Sequence, residues 1–357
     1  MKIAVVASEL PHPQGTAAGR DLWAWCSALG DLGHELDVWV WYRSSGSPEG
    51  PVPDWAHFEP LDIGPLWRAH LRALVKPRNE AARIAFEPDR DAVLVADHLP
   101  SVGAVLGRER SVVTMHYRAL ADARSVGRVR LTDVQAARAE RRAGRMADLV
   151  LAYSERVGRG LAKHAHFVPM AHPVPDRPVA AVEAPVAALL ADWSWPPNRV
   201  TLDRLLGLWP EVRRRVAGAR LVLAGRNLPT DSLGPLAGVE VVGPVADSME
   251  VLGRAAVVAF PCPNSSGPKM KTLEALALGL PVLTTAAGME GIAPGVTGLS
   301  SMVADDADFA RRLSELLCSP EERRRLGELG RDAVAVCHSP RAAALRRVEL
   351  FARYFES

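Results

Sequence analysis

Lysine is the scarcest charged residue in this 357-residue chain: there are five, against 38 arginines. Cysteine is rarer still. The four present, Cys26, Cys262, Cys318 and Cys337, lie far apart and form no CxxC pair. That spacing speaks against a zinc ribbon or a disulfide framework, and reduced thiols in a cytoplasmic protein are expected. No run approaches the ~20 apolar residues that a membrane span requires. The first residues, MKIAVVASEL, have neither a basic lead-in nor a long apolar core, so no signal peptide is expected there. Charge of one sign is not concentrated in either half: residues 1–175 carry a net +2 and the remainder is neutral. A nucleic-acid partner is therefore not expected. No G-x-G-x-x-G follows a candidate strand, which argues against a plain dinucleotide-dependent dehydrogenase. No DxD-like cluster with supporting ligands stands out, and no resident metal or cofactor is expected.

What is present is a rhythm. Short apolar runs alternate with longer amphipathic stretches. Candidate strands are KIAVVAS (2–8), ELDVWVW (35–41), AVLVAD (92–97), SVVTMHY (111–117) and LVLAYS (149–154). The segment HPVPDRPVAAVEAP (172–185) then interrupts with four prolines and no period, the composition of a linker. The rhythm restarts with VAALLAD (186–192), RLVLAGR (220–226), VEVVGP (239–244), AAVVAFP (255–261) and PVLTTA (281–286). Continuous apolar strands separated by helices predict parallel sheets covered on both faces. The chain reads as α/β: a Rossmann-like domain at 1–172, a linker at 173–185, a second Rossmann-like domain at 186–339, and a C-terminal helix at 340–357 that packs back on the first domain. Ligands of such sheets bind at the carboxyl ends of strands, so the site is expected in a central cleft that the two sheets face.

Two of the five lysines occupy one tripeptide, Lys269 and Lys271 in PNSSGPKMKTLEALALGLPV (263–282). AAVVAFP precedes it as a buried strand, and PNSSGP is a loop of turn formers. KMKTLEALALG has helical spacing, with Leu273, Leu276 and Ala277 on one face and Gly279 as C-cap. Both lysines thus fall in the first turn, where the macrodipole disfavours cations. One reading is an exposed helix start with solvated ammonium groups. The other is an anion site, in which loop N–H groups and two ammonium groups hold a diphosphate. Glu274, one turn on, is then placed to accept from the two hydroxyls of a ribose.

The residues around this helix resemble the family-4 (group 1) glycosyltransferases of GT-B fold, whose signature resembles G-x-(K/R)-x-K-x-L-E-A-x-A-x-G-x-P-V. Gly267, Lys269, Lys271, Leu273, Glu274, Ala275, Ala277, Gly279, Pro281 and Val282 match it in register. DWSWPPN (192–198), LAGRN (223–227), VVGPVAD (241–247), GMEGI (288–292) and GVTGL (295–299) follow the family's order. The first domain matches more loosely through PHPQGTAAGR (11–20), LGHELDV (32–38), TMHYR (114–118) and ADLVLAYSERV (147–157).

The resemblance implies a nucleotide-diphosphate sugar as donor and a small-molecule or glycan acceptor. It implies donor contacts from Gly15, Arg20, Arg226, Val245, Ser266, Gly267, Pro268, Lys269, Met270 and Glu274, with His116 and Lys271 as catalytic groups. It further implies metal-independent transfer with retention of configuration. Two departures stand out. Ser266 occupies the position where many members carry a glutamate. Trp193 and Asn198 stand where many carry an arginine and a lysine, so phosphate charge falls to Lys269, Lys271 and Arg226.

His116 has two readings, a catalytic group at a strand end and a core histidine bonded to a backbone carbonyl. Asp97 and His98 end the neighbouring candidate strand. His12 lies in the loop after the first strand. Trp39 and Trp41 share a strand face, as core residues do. Arg124 to Arg145 contains seven arginines against Asp133 and Glu140; a solvated face and an anionic acceptor or membrane surface both fit. Rival functions on the same fold are a sugar-nucleotide epimerase, a coupling enzyme that makes no glycosidic bond, and a non-catalytic nucleotide-binding protein.

Overall fold

A computed structural model describes residues 1–40, 56–57, 86–162, 165–230, 233, 236–292, 301–302 and 305–356. The matches at GVTGL (295–299) and Trp41 lie outside the described residues. Two compact units emerge. The first comprises Met1–His172, Ser266–Pro268 and His338–Ser357; the second comprises Pro173–Ser265 and Lys269–Cys337.

The first unit carries a seven-stranded sheet in the order β3-β2-β1-β4-β5-β6-β7. Its strands are β1 (Lys2–Ala7), β2 (Glu35–Val40), β3 (Ala56–His57), β4 (Val93–Asp97), β5 (Ser111–Met115), β6 (Leu149–Ala152) and β7 (Ala165–Phe167). All paired neighbours run parallel. Residues of β4, β5 and β6 are buried throughout, as expected of a sheet covered on both faces. The helices are α1 (Ala17–Asp31), α2 (Val102–Val105), α3 (Ala119–Ser125), α4 (Leu131–Met146) and α5 (Glu155–Gly158). Thr16 caps α1, its hydroxyl accepting from the Gly19 N–H at 3.1 Å.

The second unit has a six-stranded parallel sheet ordered β10-β9-β8-β11-β12-β13. These strands are β8 (Val186–Leu190), β9 (Arg220–Ala224), β10 (Val239–Val242), β11 (Val257–Phe260), β12 (Val282–Thr284) and β13 (Ser301–Met302). Its helices are α6 (Pro196–Arg215), α7 (Met249–Leu252), α8 (Met270–Ala277), α9 (Asp306–Cys318) and α10 (Pro320–His338). Trp193, Leu205, Trp209, Leu221, Phe260 and Phe309 belong to one buried cluster. The final helix, α11 (Pro340–Phe355), packs on α1 within the first unit.

Both sheets reverse their strand order once, next to β1 in the first unit and next to β8 in the second. At such a switch point, the loops leaving the two central strands diverge and open a crevice. The sequence-predicted site residues lie at or beyond the carboxyl ends of strands.

The α8 helix begins one residue later than its hydrophobic pattern starts. Lys269 is the N-cap, with extended backbone at φ −114° and ψ 94°. Its C-cap is Leu278, and Gly279 is the next residue, at φ +77°; this corrects the expectation that Gly279 is itself the cap. A left-handed glycine just beyond the cap lets its N–H and that of Leu280 bond back to the last turn.

Candidate functional site

In the second unit, the site is built on the switch point between β8 and β11. After β8, the turn Asp192–Asn198 is held by its own polar groups. The Asp192 carboxylate accepts from the Ser194 N–H at 3.0 Å and from the Ser194 hydroxyl at 2.7 Å. These bonds, Ser194's first, hold its pKa below the ordinary aspartate value. The indole N–H of buried Trp193 donates to the Ala224 carbonyl at 2.9 Å. Asn198 donates its amide to the Asp192 carbonyl at 2.7 Å, which leaves its Oδ1 aimed at α8. After β9, Gly225 adopts φ +118°, and a Cβ there would lie 2.0 Å from the Ala191 carbonyl oxygen. The glycine of LAGRN is thus required by contact between two strand ends, not by a ligand.

Lys271, the second residue of α8, donates its ammonium to that Asn198 Oδ1 at 2.7 Å. The same Nζ sits 4.5 Å from the centre of the Phe260 ring, at the end of β11. Among the described residues, no carboxylate pairs with it. Burial is the main cause that lowers the Lys271 pKa, to about 8, and the like charge of Lys269 adds to the shift. A desolvated cation held by an amide and a ring is an incomplete electrostatic arrangement. An arriving anion would complete it, next to helix N–H groups that have no intrahelical acceptor. Lys271 is half-buried and its ammonium is bonded, which favours the anion-site reading. Lys269 is half-buried at the cap.

One turn on, Glu274 is half-buried, and its Oε1 accepts from the Ser248 hydroxyl at 2.6 Å. Met270 is buried and takes part in the α8 core face. Val245 is half-buried in the loop after β10. Arg226, after β9, is exposed, with its guanidinium 3.9 Å from Asp192.

In the first unit, a second constellation follows the carboxyl ends of β4 and β5. His116 is buried, and its Nε2 lies 2.9 Å from the Asp97 Oδ1. Burial alone would push the His116 pKa down; the charge and hydrogen bond of Asp97 outweigh it, and the net shift is upward. The His98 ring stacks on His116 with centroids 4.6 Å apart. His98 holds φ +77°, a left-handed conformation costly for any residue with a Cβ. The Tyr153 ring packs on His116 from another side, with centroids 4.7 Å apart. Its hydroxyl donates to buried Asp21 and accepts from Arg347 of α11 at 3.1 Å. Burial is the largest influence on Asp21 and raises its pKa to about 6.

The loop Ser266–Pro268 belongs to this first unit. The Ser266 N–H and hydroxyl both donate to Asp122 Oδ1, at 2.6 and 2.7 Å, and the Arg118 N–H donates to the Ser266 hydroxyl at 2.8 Å. Gly267 has φ +79°, and a Cβ would lie 2.4 Å from the His116 carbonyl oxygen. These two residues have structural work to do whatever else they bind. Pro268 is half-buried beside them. Gly15 is exposed in a turn whose N–H donates to the His12 carbonyl at 3.1 Å, and Arg20 is half-buried on α1.

Within the second unit, Lys271, Asn198 and Phe260 come together, and Glu274 lies one turn along the same helix. In the first, His116 and Asp97 pair, whereas Gly15 and Arg20 sit on the separate loop and helix after β1. Sequence reasoning placed Asp97 and His98 at the end of the neighbouring strand and did not anticipate their contact with His116. It missed Ser248, Phe260 and the Asp21–Tyr153–Arg347 group. Only adjacent strand ends could have signalled the Asp97 pairing. The Asp21 group joins residues from three distant parts of the chain and leaves no local pattern.

No curated protein matches this chain by sequence at a significant level. Residues 185–319 match the family described as "Glycosyl transferases group 1". Among solved structures, the sucrose-phosphate synthase of Thermosynechococcus elongatus is similar at a TM-score of 0.75 and 17% identity, covering 100% of this chain and 99% of that one. WaaG, a glycosyltransferase involved in lipopolysaccharide biosynthesis, is similar at a TM-score of 0.68 and 16% identity, covering 98% and 99% of the two chains. S. aureus TarM, in a complex that includes UDP, is similar at a TM-score of 0.63 and 12% identity over 76% of this chain. This chain spans 57% of the length of TarM. The chain has the GT-B fold, and its similarity to the group 1 glycosyltransferases covers residues 185–319, within the second unit.

Proposed function

We propose that this protein transfers a sugar from a nucleotide diphosphate to an acceptor hydroxyl. The observation that carries the proposal is Lys271: a half-buried ammonium at a switch point, paired with a neutral amide and an aromatic face. A leaving diphosphate gains charge as its bond to the anomeric carbon breaks, while that carbon takes on oxocarbenium character. A half-buried cation already partly stripped of water stabilises that charge with little reorganisation. Glu274, as a carboxylate, can accept from both ribose hydroxyls once Ser248 yields. His116, held by Asp97, is assigned a catalytic role as a hydrogen-bond donor to the sugar. The second-unit family match and the UDP in the TarM complex support a nucleotide-linked donor. Retention and metal-independent departure are the finer parts of the proposal, and they rest on family resemblance.

A second reading, nucleotide binding without transfer, is favoured by Ser266. It stands where many relatives carry a glutamate, and its hydroxyl is engaged with Asp122. One experiment separates the two. The protein is screened for thermal stabilisation by UDP, GDP, dTDP and ADP, then incubated with sugar conjugates of the stabilising nucleotide. Stabilisation with release of the nucleotide diphosphate and a glycosylated product supports transfer. Stabilisation with intact donor supports the binding protein, and stabilisation by none of the four refutes both.

A further inference from the structure

The second unit holds a cavity of about 420 Å³ at the other end of its strands from Lys271. Ala255 and Ala256, just before β11, and Leu280 and Pro281, just before β12, line its floor. It therefore opens at the amino ends of the strands, whereas the Lys271 site follows their carboxyl ends. The linker segment 178–183 forms one wall and α10 another. These walls are fixed by contact. The Val179 N–H donates to the Leu278 carbonyl at 2.9 Å, which pins the linker at one end. Gly327 of α10 packs so closely on the turn after α8 that a Cβ there would lie 1.9 Å from the Gly279 carbonyl oxygen. The volume falls within the roughly 300–1,000 Å³ of small-molecule sites.

Most of the lining is apolar, but α10 brings Arg323, Arg324 and Arg331 to it. Arg323 decides the chemistry, because it is only 5% exposed. Its guanidinium donates to the Leu316 and Leu317 carbonyls, both at 2.8 Å, and to those of Val182 and Glu183 at 3.0 and 3.4 Å. Carbonyls satisfy its N–H groups but do not neutralise its charge, and a charge out of water without a counter-ion is costly. Arg331 is likewise spent on carbonyls, those of Ala277 at 2.9 Å and Asp176 at 3.2 Å among them. Two carboxylates line the cavity, Glu183 and Glu328, and both are exposed, where water and salt screen them. The uncompensated buried charge is therefore positive.

We propose that this cavity binds a small organic carboxylate with a compact apolar body. The body is buried against Val179, Val182 and Leu280, and the carboxylate lies toward Arg323 and Arg324. A monoanion matches the lining, in which three arginines face two glutamates. A dianionic phosphate ester would exceed that balance, and a neutral ligand would leave Arg323 uncompensated. The site is separate from the one proposed for the nucleotide and stands whether or not the protein transfers sugar.

The test is calorimetric titration of the full chain with 2-naphthoate and with its neutral counterpart, 2-naphthamide. The acid should bind at one site with a Kd of about 1 mM or tighter, and about tenfold or more tighter than the amide. Arg323→Gln would remove four bonds that hold the linker and helix together, so two exposed positions carry the test instead. Arg324→Gln should weaken the acid by about tenfold and leave the amide unchanged. Ala181→Trp, which fills the cavity from its linker wall, should abolish binding of both. Circular dichroism melting confirms that each variant is folded. Absence of saturable naphthoate binding overturns the proposal, as do equal affinities for acid and amide. So does parent-like binding by either variant, or displacement of naphthoate by UDP, which would place it in the nucleotide site.

Discussion

The Lys271 ammonium lies 2.7 Å from the amide oxygen of Asn198, where an aspartate of almost the same shape would have formed an ion pair. The amide orients the cation without neutralising it. Asn198→Asp should pair the lysine and raise its pKa, while losing the amide's bond to the Asp192 carbonyl. The same change should weaken nucleotide-diphosphate binding by ~1–3 kcal/mol, the range for a hydrogen bond to a charged group. The pH dependence of binding and calorimetric titration of the variant check the two effects.

The depressed Lys271 pKa also sets a pH window. Its value of about 8 in the free protein should rise when an anionic diphosphate binds, so binding takes up protons as pH approaches and passes that value. Affinity should be flat below pH ~7 and fall as pH rises through ~8. Titrations across that range, repeated with Lys271→Arg, should show the fall in the parent and not in the variant.

Glu274→Gln keeps the shape of the side chain but removes its charge and one acceptor. Nucleotide affinity should drop by ~1–3 kcal/mol, with little change in melting temperature. Adenosine diphosphate against its 2′-deoxy form offers a sharper reading if the adenine nucleotide is the one that stabilises the protein. The parent should prefer the ribose form, and the variant should prefer it less.

The raised pKa of His116 depends on Asp97 outweighing burial. Asp97→Asn should therefore carry the His116 value below that of an ordinary histidine, which NMR titration of the imidazole signals can follow. The sign for stability is set by the raised folded value. The pair stabilises fully below the unfolded pKa, and that contribution is lost as pH rises through the folded one. The asparagine variant should lack this pH dependence.

The α/β class and the ten main strands were legible because a strand buried on both faces writes itself as a continuous apolar run. β3, β7 and β13 were not, since two or three residues carry no period. The lysine helix was legible for a different reason: cations at a helix start contradict the macrodipole and so demand an explanation. What could not be read was the partner. Asn198 looked like the loss of a cation, and only the fold shows its carboxamide turned onto Lys271, 73 residues away. Ser266 looked like the loss of a carboxylate, yet its hydroxyl bonds Asp122, 144 residues distant. Pairings across such distances depend on which strand ends adjoin, and topology decides that.

The central claim is that Lys271 awaits a nucleotide diphosphate. The most direct measurement is calorimetric titration of UDP, GDP, dTDP and ADP into the parent protein and into Lys271→Ala at neutral pH. The account predicts that at least one of the four binds the parent, and that the alanine variant, still folded, binds it about tenfold more weakly or worse. Equal affinity of parent and variant for that nucleotide would contradict it.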